Sequence, residues 1–396
     1  MTPGEPAVIA AEHVVTPDGV LAPGWIRIAD GRIEAVLPGE PPADTPVARR
    51  AHWALPGFVD LHVHGGGGAS FTEGGPDDAR RAVAFHRAHG TTRTLASLVT
   101  APLDQLEGRV AMLADLADEG VIDGIHLEGP FLSAARCGAQ DPRYLIEPDL
   151  AAFSRLQAAS RGWLRMITIA PELPGAAAVI RAAAAAGVIA AAGHTDASDE
   201  VTAAAVDAGI SHATHLFNGM RPIDHRAPGP AGALLDRQVT CEVIADGAHL
   251  HDAIIRLAAR AAGPGNLVLI TDAMAAAGMP DGDYRLGELD VTVSAGVARL
   301  ADATPGRIGS IAGSTATMEF VVRRAITAVG LSVVDIARAA STTPARRLGL
   351  DGVTGSLRAG LAADIVLLDP EFRLRAVVAR GEIQPAPEAG PRPDLA

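Results

Sequence analysis

Between residues 57 and 272 the chain alternates eight times between a short apolar run and a stretch with helical spacing, a rhythm that few folds accommodate. The runs are 57–63, 91–99, 121–127, 164–170, 187–193, 210–217, 240–246 and 266–272. Helix-like stretches lie between them, among them 76–89, 102–119, 174–186, 198–208 and 251–262. Parallel strands cannot be joined by a tight turn, so strand–helix alternation implies a parallel sheet with crossover helices. Eight such units match a closed (β/α)8 barrel of the TIM type. An open doubly wound sheet is the competing architecture. The count of eight, and the lack of a Gly-x-Gly-x-x-Gly turn after the first run, favour the barrel. Further helices are expected at 313–329 and 332–349, and a local hairpin within 281–310.

The flanks have a different texture. VIAAEHVV and WIRIADGRIEAVLP read as strands, with turns at Pro17-Asp18-Gly19 and Asp30-Gly31. TGSLRAGLAADIVLLD and FRLRAVVARGE near the other end read alike. Neither flank is long enough to enclose a core. They are expected to pair into one small β-sandwich domain from 1–56 and 351–396, with the barrel of 57–350 inserted between them. The Pro-rich stretch from Pro385 is expected to fray.

Composition narrows the function. All 33 basic residues are arginine, against 46 acidic ones, giving a net charge of −13. That field repels nucleic acid, and 3% aromatic content offers no base-stacking surface. Without lysine there is no Walker-type phosphate loop, no Schiff base and no carboxylated-lysine metal bridge. Two cysteines, Cys137 and Cys241, cannot build a disulfide framework. No basic-then-apolar leader is visible, and the run Ala182–Gly193 is too short to span a bilayer, so a soluble cytoplasmic protein is expected.

Chemistry gathers at the ends of the apolar runs. In Asp60-Leu61-His62-Val63-His64, alternation places Asp60, His62 and His64 on one face, where two imidazoles can converge on one ion. The third run ends in His126-Leu127-Glu128, the fifth in Gly193-His194, the sixth in Thr214-His215 and the eighth in Thr271-Asp272. Barrel active sites lie at the C-terminal ends of strands. Any one of these residues reads equally well as a capped or paired terminus; all of them together do not. Zinc suits imidazole and carboxylate donors and acidifies water, which points to hydrolysis of an amide or related C–N bond. Glu128 can bridge two metals, and Asp272 can shuttle the proton.

The stretches PGFVDLHVHGGGG (56–68), HLEGPFL (126–132), AGHTDA (192–197), THLFNGM (214–220), HRAPG (225–229), ADGAHLH (245–251), ITDAM (270–274) and IAGS (311–314) carry a resemblance. The chain resembles the amidohydrolase superfamily and, within it, the N-acetylglucosamine-6-phosphate deacetylase family. The resemblance implies that Glu128, His194 and His215 hold a divalent metal, zinc by family habit, with Asp272 as catalytic acid/base. His62 and His64 match the superfamily's first-strand pair, so one ion or two stay open. It further implies that Ala139, Gln140, Asn218 and Gly219 meet the sugar, that Arg226 and His249 meet its phosphate, and that Ile311, Ala312 and Gly313 form a contact loop. In relatives that arginine reaches across a subunit interface, so a homodimer is expected. Gln140 replaces a histidine common in the family, and Gly219 replaces an alanine. Cys137 reads as an ordinary loop thiol, and Glu172 is either a support for the site or structural. The rival readings are another amide hydrolase on this scaffold, for a different amino-sugar phosphate or an N-acyl amino acid, and a non-catalytic barrel; the retained ligand residues disfavour the last.

Overall fold

The computed structural model describes residues 7–301 and 309–387. Among these, one compact unit is built on residues 7–60, Ala84–Arg93 and 317–387; a second on Leu61–Val83, 94–301 and 309–316.

Eight parallel strands form one sheet in simple sequential order: β1 (Phe58–Asp60), β2 (Thr91–Val99), β3 (Gly124–Glu128), β4 (Leu164–Ile169), β5 (Ile189–Ala192), β6 (Ile210–Ala213), β7 (Thr240–Ile244) and β8 (Leu267–Ile270). Each is followed by a helix: α1 (Pro76–Ala88), α2 (Leu103–Asp118), α3 (Leu150–Ala159), α4 (Ala176–Ala185), α5 (Asp199–Ala208), α6 (Gly229–Asp236), α7 (Asp252–Ala262) and α8 (Met318–Thr327). This is the expected (β/α)8 architecture. The strands are buried along nearly their whole length, as parallel strands covered by helices must be. The helices bury one stripe: in α2 it is Leu106, Val110, Leu113 and Leu116–Ala117, a spacing of three to four. Each leucine removed from water there contributes about 1.5–3 kcal/mol.

The first strand is shorter than the expected 57–63. Beyond Asp60 the chain leaves the continuous ladder and is held by single contacts to the end of β8. Val63 bridges Ala273, the Asp272 N–H donates to the His62 carbonyl (2.8 Å), and the His64 N–H donates to Ala273 (2.7 Å). These contacts join the last strand end to the first and fix Asp272 beside the two histidines.

The terminal segments share a second eight-stranded sheet. Ala7–Thr16 lies at its centre between Gly24–Ala29 and Arg49–Pro56, and Ile365–Leu368 pairs antiparallel with Arg49–Pro56. Its own core includes Ile9, Ile26, Ile33, Ile365, Leu367 and Val378. The expected hairpin within 281–310 is a three-stranded meander, Gly282–Leu286, Leu289–Ser294 and Val297–Leu300; residues 302–308 lie outside the described residues. After α8 a helical run from Val333 to Arg347 widens to π geometry over Arg338–Thr342. Among the described residues no helix is long and apolar enough to cross a membrane.

Candidate metal centre

Six side chains from strand ends far apart in sequence meet at one end of the barrel. They form two groups of three: His62, His64 and Asp272, and Glu128, His194 and His215. All six are buried. Within the first group the His62 and His64 Nε2 atoms are 3.1 Å apart, and Asp272 Oδ1 lies 3.5 and 3.2 Å from them. Within the second, Glu128 Oε1 lies 3.0 Å from His194 Nε2 and 2.8 Å from His215 Nε2, which are themselves 3.1 Å apart. Glu128 also reaches the first group, with Oε1 3.5 Å from His62 Nε2 and Oε2 3.3 Å from His64 Nε2. It therefore stands between the groups.

The outward edges of the rings decide what faces the centre. His64 Nδ1 donates to the Ser97 carbonyl (3.2 Å) and His194 Nδ1 to the Arg136 carbonyl (2.9 Å). A carbonyl only accepts, so in the neutral ring the hydrogen sits on Nδ1 and Nε2 turns a lone pair inward. His62 Nδ1 likewise donates to the Glu242 carboxylate (3.1 Å). Lone pairs about 3 Å apart repel unless a positive charge lies between them, and the donor set of imidazole and carboxylate is the one a zinc-type ion takes. The residues present fit a divalent metal.

The electrostatics agree. Burial disfavours charge on His62 and His64, yet the surrounding carboxylates outweigh it. Glu128, Asp272 and Glu242 hold His62 well above the usual imidazole range, and hydrogen bonds to Asp272 and Glu128 push His64 up to about 9. Burial likewise opposes ionisation of Glu128, but His62, His194 and His215 hold its carboxyl well below the usual range. Asp272 is depressed against its own burial by His62 and His64. The cavity is one in which positive charge is stabilised.

Three of the six donors adopt left-handed backbone: His194 (φ 46°), His215 (φ 25°) and Asp272 (φ 49°). For a side chain with a Cβ this costs on the order of 1–3 kcal/mol at each position. The cost is offset by anchoring: Ser133 N–H donates to the His194 carbonyl (2.9 Å), and Ser314 N–H to the Asp272 carbonyl (2.6 Å). The turn at each strand end aims the side chain back across the barrel mouth.

The cavity beside the centre has a volume of about 280 Å³. Among the residues expected to meet substrate, Ala139, Gln140, Asn218, Gly219, His249, Ile311 and Gly313 line it. Ala312 does not; it is fully buried against the Val99–Leu300 cluster, with its N–H donated to Ala298 (3.1 Å). Arg226 is exposed and lies outside the lining. Gln140 lines the cavity, but its amide is committed elsewhere. Its Oε1 accepts the Thr100 N–H (2.8 Å), which turns its Nε2 onto Glu128 Oε2 (2.5 Å). Glu172 accepts from Thr195 Oγ1 (2.5 Å) and Asp196 N–H (2.7 Å), tying down the loop after His194. Cys137 is buried.

Sequence reasoning passed over Gly138, Leu286 and Ser310 in the lining. It also gave no role to Glu242, His212 or His126. His126 links Ser97 Oγ (3.0 Å) to Thr168 Oγ1 (2.9 Å) beneath the centre. The available signal for Glu242 was a lone carboxylate in an otherwise uncharged strand, Thr240-Cys241-Glu242-Val243-Ile244.

Comparison with known proteins gives consistent neighbours. The model of the amidohydrolase family matches residues 53–387. An N-acetylgalactosamine-6-phosphate deacetylase of Escherichia coli is 37% identical, over 95% of this chain and 98% of its own. An N-acetylglucosamine-6-phosphate deacetylase of Bacillus subtilis is 35% identical, over 93% and 95%. Among solved structures, a mutant N-acetyl-D-glucosamine-6-phosphate deacetylase of Mycobacterium smegmatis in complex with N-acetyl-D-glucosamine-6-phosphate is 48% identical, with a TM-score of 0.91 over 96% of this chain and 99% of that one.

Proposed function

Because the chain belongs to the amidohydrolase family, we propose that it is a metal-dependent deacetylase converting N-acetyl-D-glucosamine 6-phosphate and water into D-glucosamine 6-phosphate and acetate. The observation that carries this reading is the convergence of the six donors at the mouth of a cavity, in a chain 48% identical to a relative solved with that compound. We take the ion to be zinc, held by Glu128, His194 and His215, with His62 and His64 offering a second place. A divalent ion held there supplies Lewis acidity, polarising the acetyl carbonyl and acidifying water.

The chain's own residues do the rest. Asp272, kept ionised by His62 and His64, accepts a proton from the attacking water and returns it to the nitrogen as the C–N bond breaks. Asn218 and Gly219 sit beside His215 and His194 to hold the sugar. Asn218 Nδ2 donates to the His215 carbonyl (3.1 Å), which fixes the turn that carries both. His249 is a suitable phosphate partner. Burial opposes its charge, but Asp246, 2.9 Å from Nδ1, outweighs it and raises the imidazole above its ordinary value. Arg226 supplies the planar fork that pairs with phosphate oxygens. Its exposed position suits a contact made to the cavity of a second copy, and we take the working form to be a homodimer. Both cysteines are buried thiols outside any disulfide, which suits a reducing cytoplasm, and we take the role to be in amino-sugar catabolism.

Arg226→Ala is expected to raise KM for the phosphorylated sugar about 10- to 100-fold, the worth of one or two hydrogen bonds to a charged group. Little change in kcat should accompany it. An unchanged KM in steady-state kinetics removes Arg226 from the site. A second reading has a specific observation behind it: the Escherichia coli relative, matched almost end to end, is named for the galactosamine epimer.

A further inference from the structure

The barrel interior holds a carboxylate that the proposed chemistry does not use. Glu242, in the middle of β7, is fully buried, and its oxygens collect donors from three histidines. Oε2 lies 3.1 Å from His62 Nδ1 and accepts the backbone N–H of His215 (3.0 Å); Oε1 lies 3.0 Å from His212 Nε2. The Glu242 carbonyl accepts the next N–H, that of Leu216 (2.8 Å). One side chain thus touches a member of each donor group.

Stability alone does not call for a charge here. Cys241, Val243 and Ile244 flank it, all fully buried, and a buried charge repays its desolvation only through well-placed partners. Two consequences of the contacts explain its presence. A carboxylate can only accept, so a neutral His62 must carry its hydrogen on Nδ1 and present the Nε2 lone pair to His64, Glu128 and Asp272. The bonds to the His215 and Leu216 N–H groups also pin the left-handed turn (φ 25°) that aims the His215 ring at Glu128.

We propose that Glu242 is the positioning residue of the metal centre, setting the tautomer of His62 and the backbone of His215 at once. The proposal rests on the metal-dependent reading above, but not on the identity of the sugar. Glutamine at 242 offers one acceptor oxygen and places an NH2 where the second was. With the NH2 at the Oε2 position, His62 Nδ1 and the His215 N–H lose their shared acceptor together; with the oxygen there, both keep only a neutral acceptor, about half as strong as the carboxylate, and the NH2 meets His212 Nε2.

Zinc titration of the metal-free protein against a competing chelator tests this without any substrate. Glu242→Gln is expected to weaken zinc binding about 10- to 100-fold, the usual effect of removing the partner of a ligating histidine. Glu242→Asp, which keeps the charge on a shorter arm, is expected to fall between Gln and wild type. A purely structural Glu242 lowers the melting temperature but leaves the zinc affinity of the folded variant untouched, and that result overturns the proposal. If Glu242→Gln does not fold, long-range proton–nitrogen correlation spectra of the zinc-loaded wild type decide it. His62 protonated at Nδ1 supports the proposal, and protonation at Nε2 overturns it. A protein that binds zinc as described yet hydrolyses neither sugar phosphate sinks the substrate reading alone.

Discussion

Replacing Asp272 with asparagine is expected to lower kcat by about 10²- to 10⁴-fold, the range supplied by a positioned general acid–base. The geometry gives the reason. Asp272 is held at the end of β8 by the His62 carbonyl on its N–H and the Ser314 N–H on its carbonyl, so its side chain has little freedom to retreat. Its Oδ1 lies 3.2 Å from His64 Nε2, at the edge of the cavity where an acetyl group must arrive. His62 and His64 keep it ionised against its burial, which is the state a proton acceptor needs at neutral pH. Asparagine preserves the shape and removes the basicity. KM should stay near its wild-type value, and the metal held by Glu128, His194 and His215 should be retained, since none of them loses a donor. Turnover within about tenfold of wild type, below what acid–base work supplies, takes the proton transfer away from Asp272.

Glu128→Gln is expected to be as damaging by a different route. Glu128 is the only side chain among the described residues within 3.5 Å of the ring nitrogens of His62, His64, His194 and His215 together. Its charge is the main reason the inward nitrogens sit in a field that favours a cation. The amide removes that charge and sets an NH2 among them. Supporting partners of metal ligands are worth about 10- to 100-fold in affinity, so loss of a ligand itself should cost at least about 100-fold. Zinc content after dialysis should fall at both groups and activity should fall with it. The fold should persist, because the strand ladders around β3 do not depend on that side chain. Full zinc content in the variant contradicts the central placement of Glu128.

Much of this architecture was legible in the letters because parallel strands covered on both sides must be apolar throughout, and helices between them must not. The candidate site was legible for the same reason: Glu128, His194, His215 and Asp272 interrupt runs that burial would otherwise keep apolar. What escaped notice has physical causes. Helix α6 is written Gly229-Pro230-Ala231-Gly232, a composition that signals a turn, and it folds because Ala231, Leu234 and Leu235 are buried. Helix α3 carries a signal that local reading could have used, since the Asp149 side chain accepts the Ala152 N–H (2.8 Å). Glu242 is of another kind. Its partners are His62, His212 and His215, up to 180 positions away, and no spacing along the chain joins them. Gln140 shows the converse. The letters suggest a side chain facing the sugar, while the backbone N–H of Thr100 turns its amide onto Glu128.

The measurement that bears most directly on the whole account is acetate release by zinc-loaded protein from N-acetylglucosamine 6-phosphate, with the galactosamine epimer and unphosphorylated N-acetylglucosamine alongside. Fast release is expected from N-acetylglucosamine 6-phosphate, slower release from the epimer, little from the unphosphorylated sugar, and none from any of them once a chelator has removed the metal. Equal rates with and without the phosphate, or full activity in the metal-free protein, would contradict it.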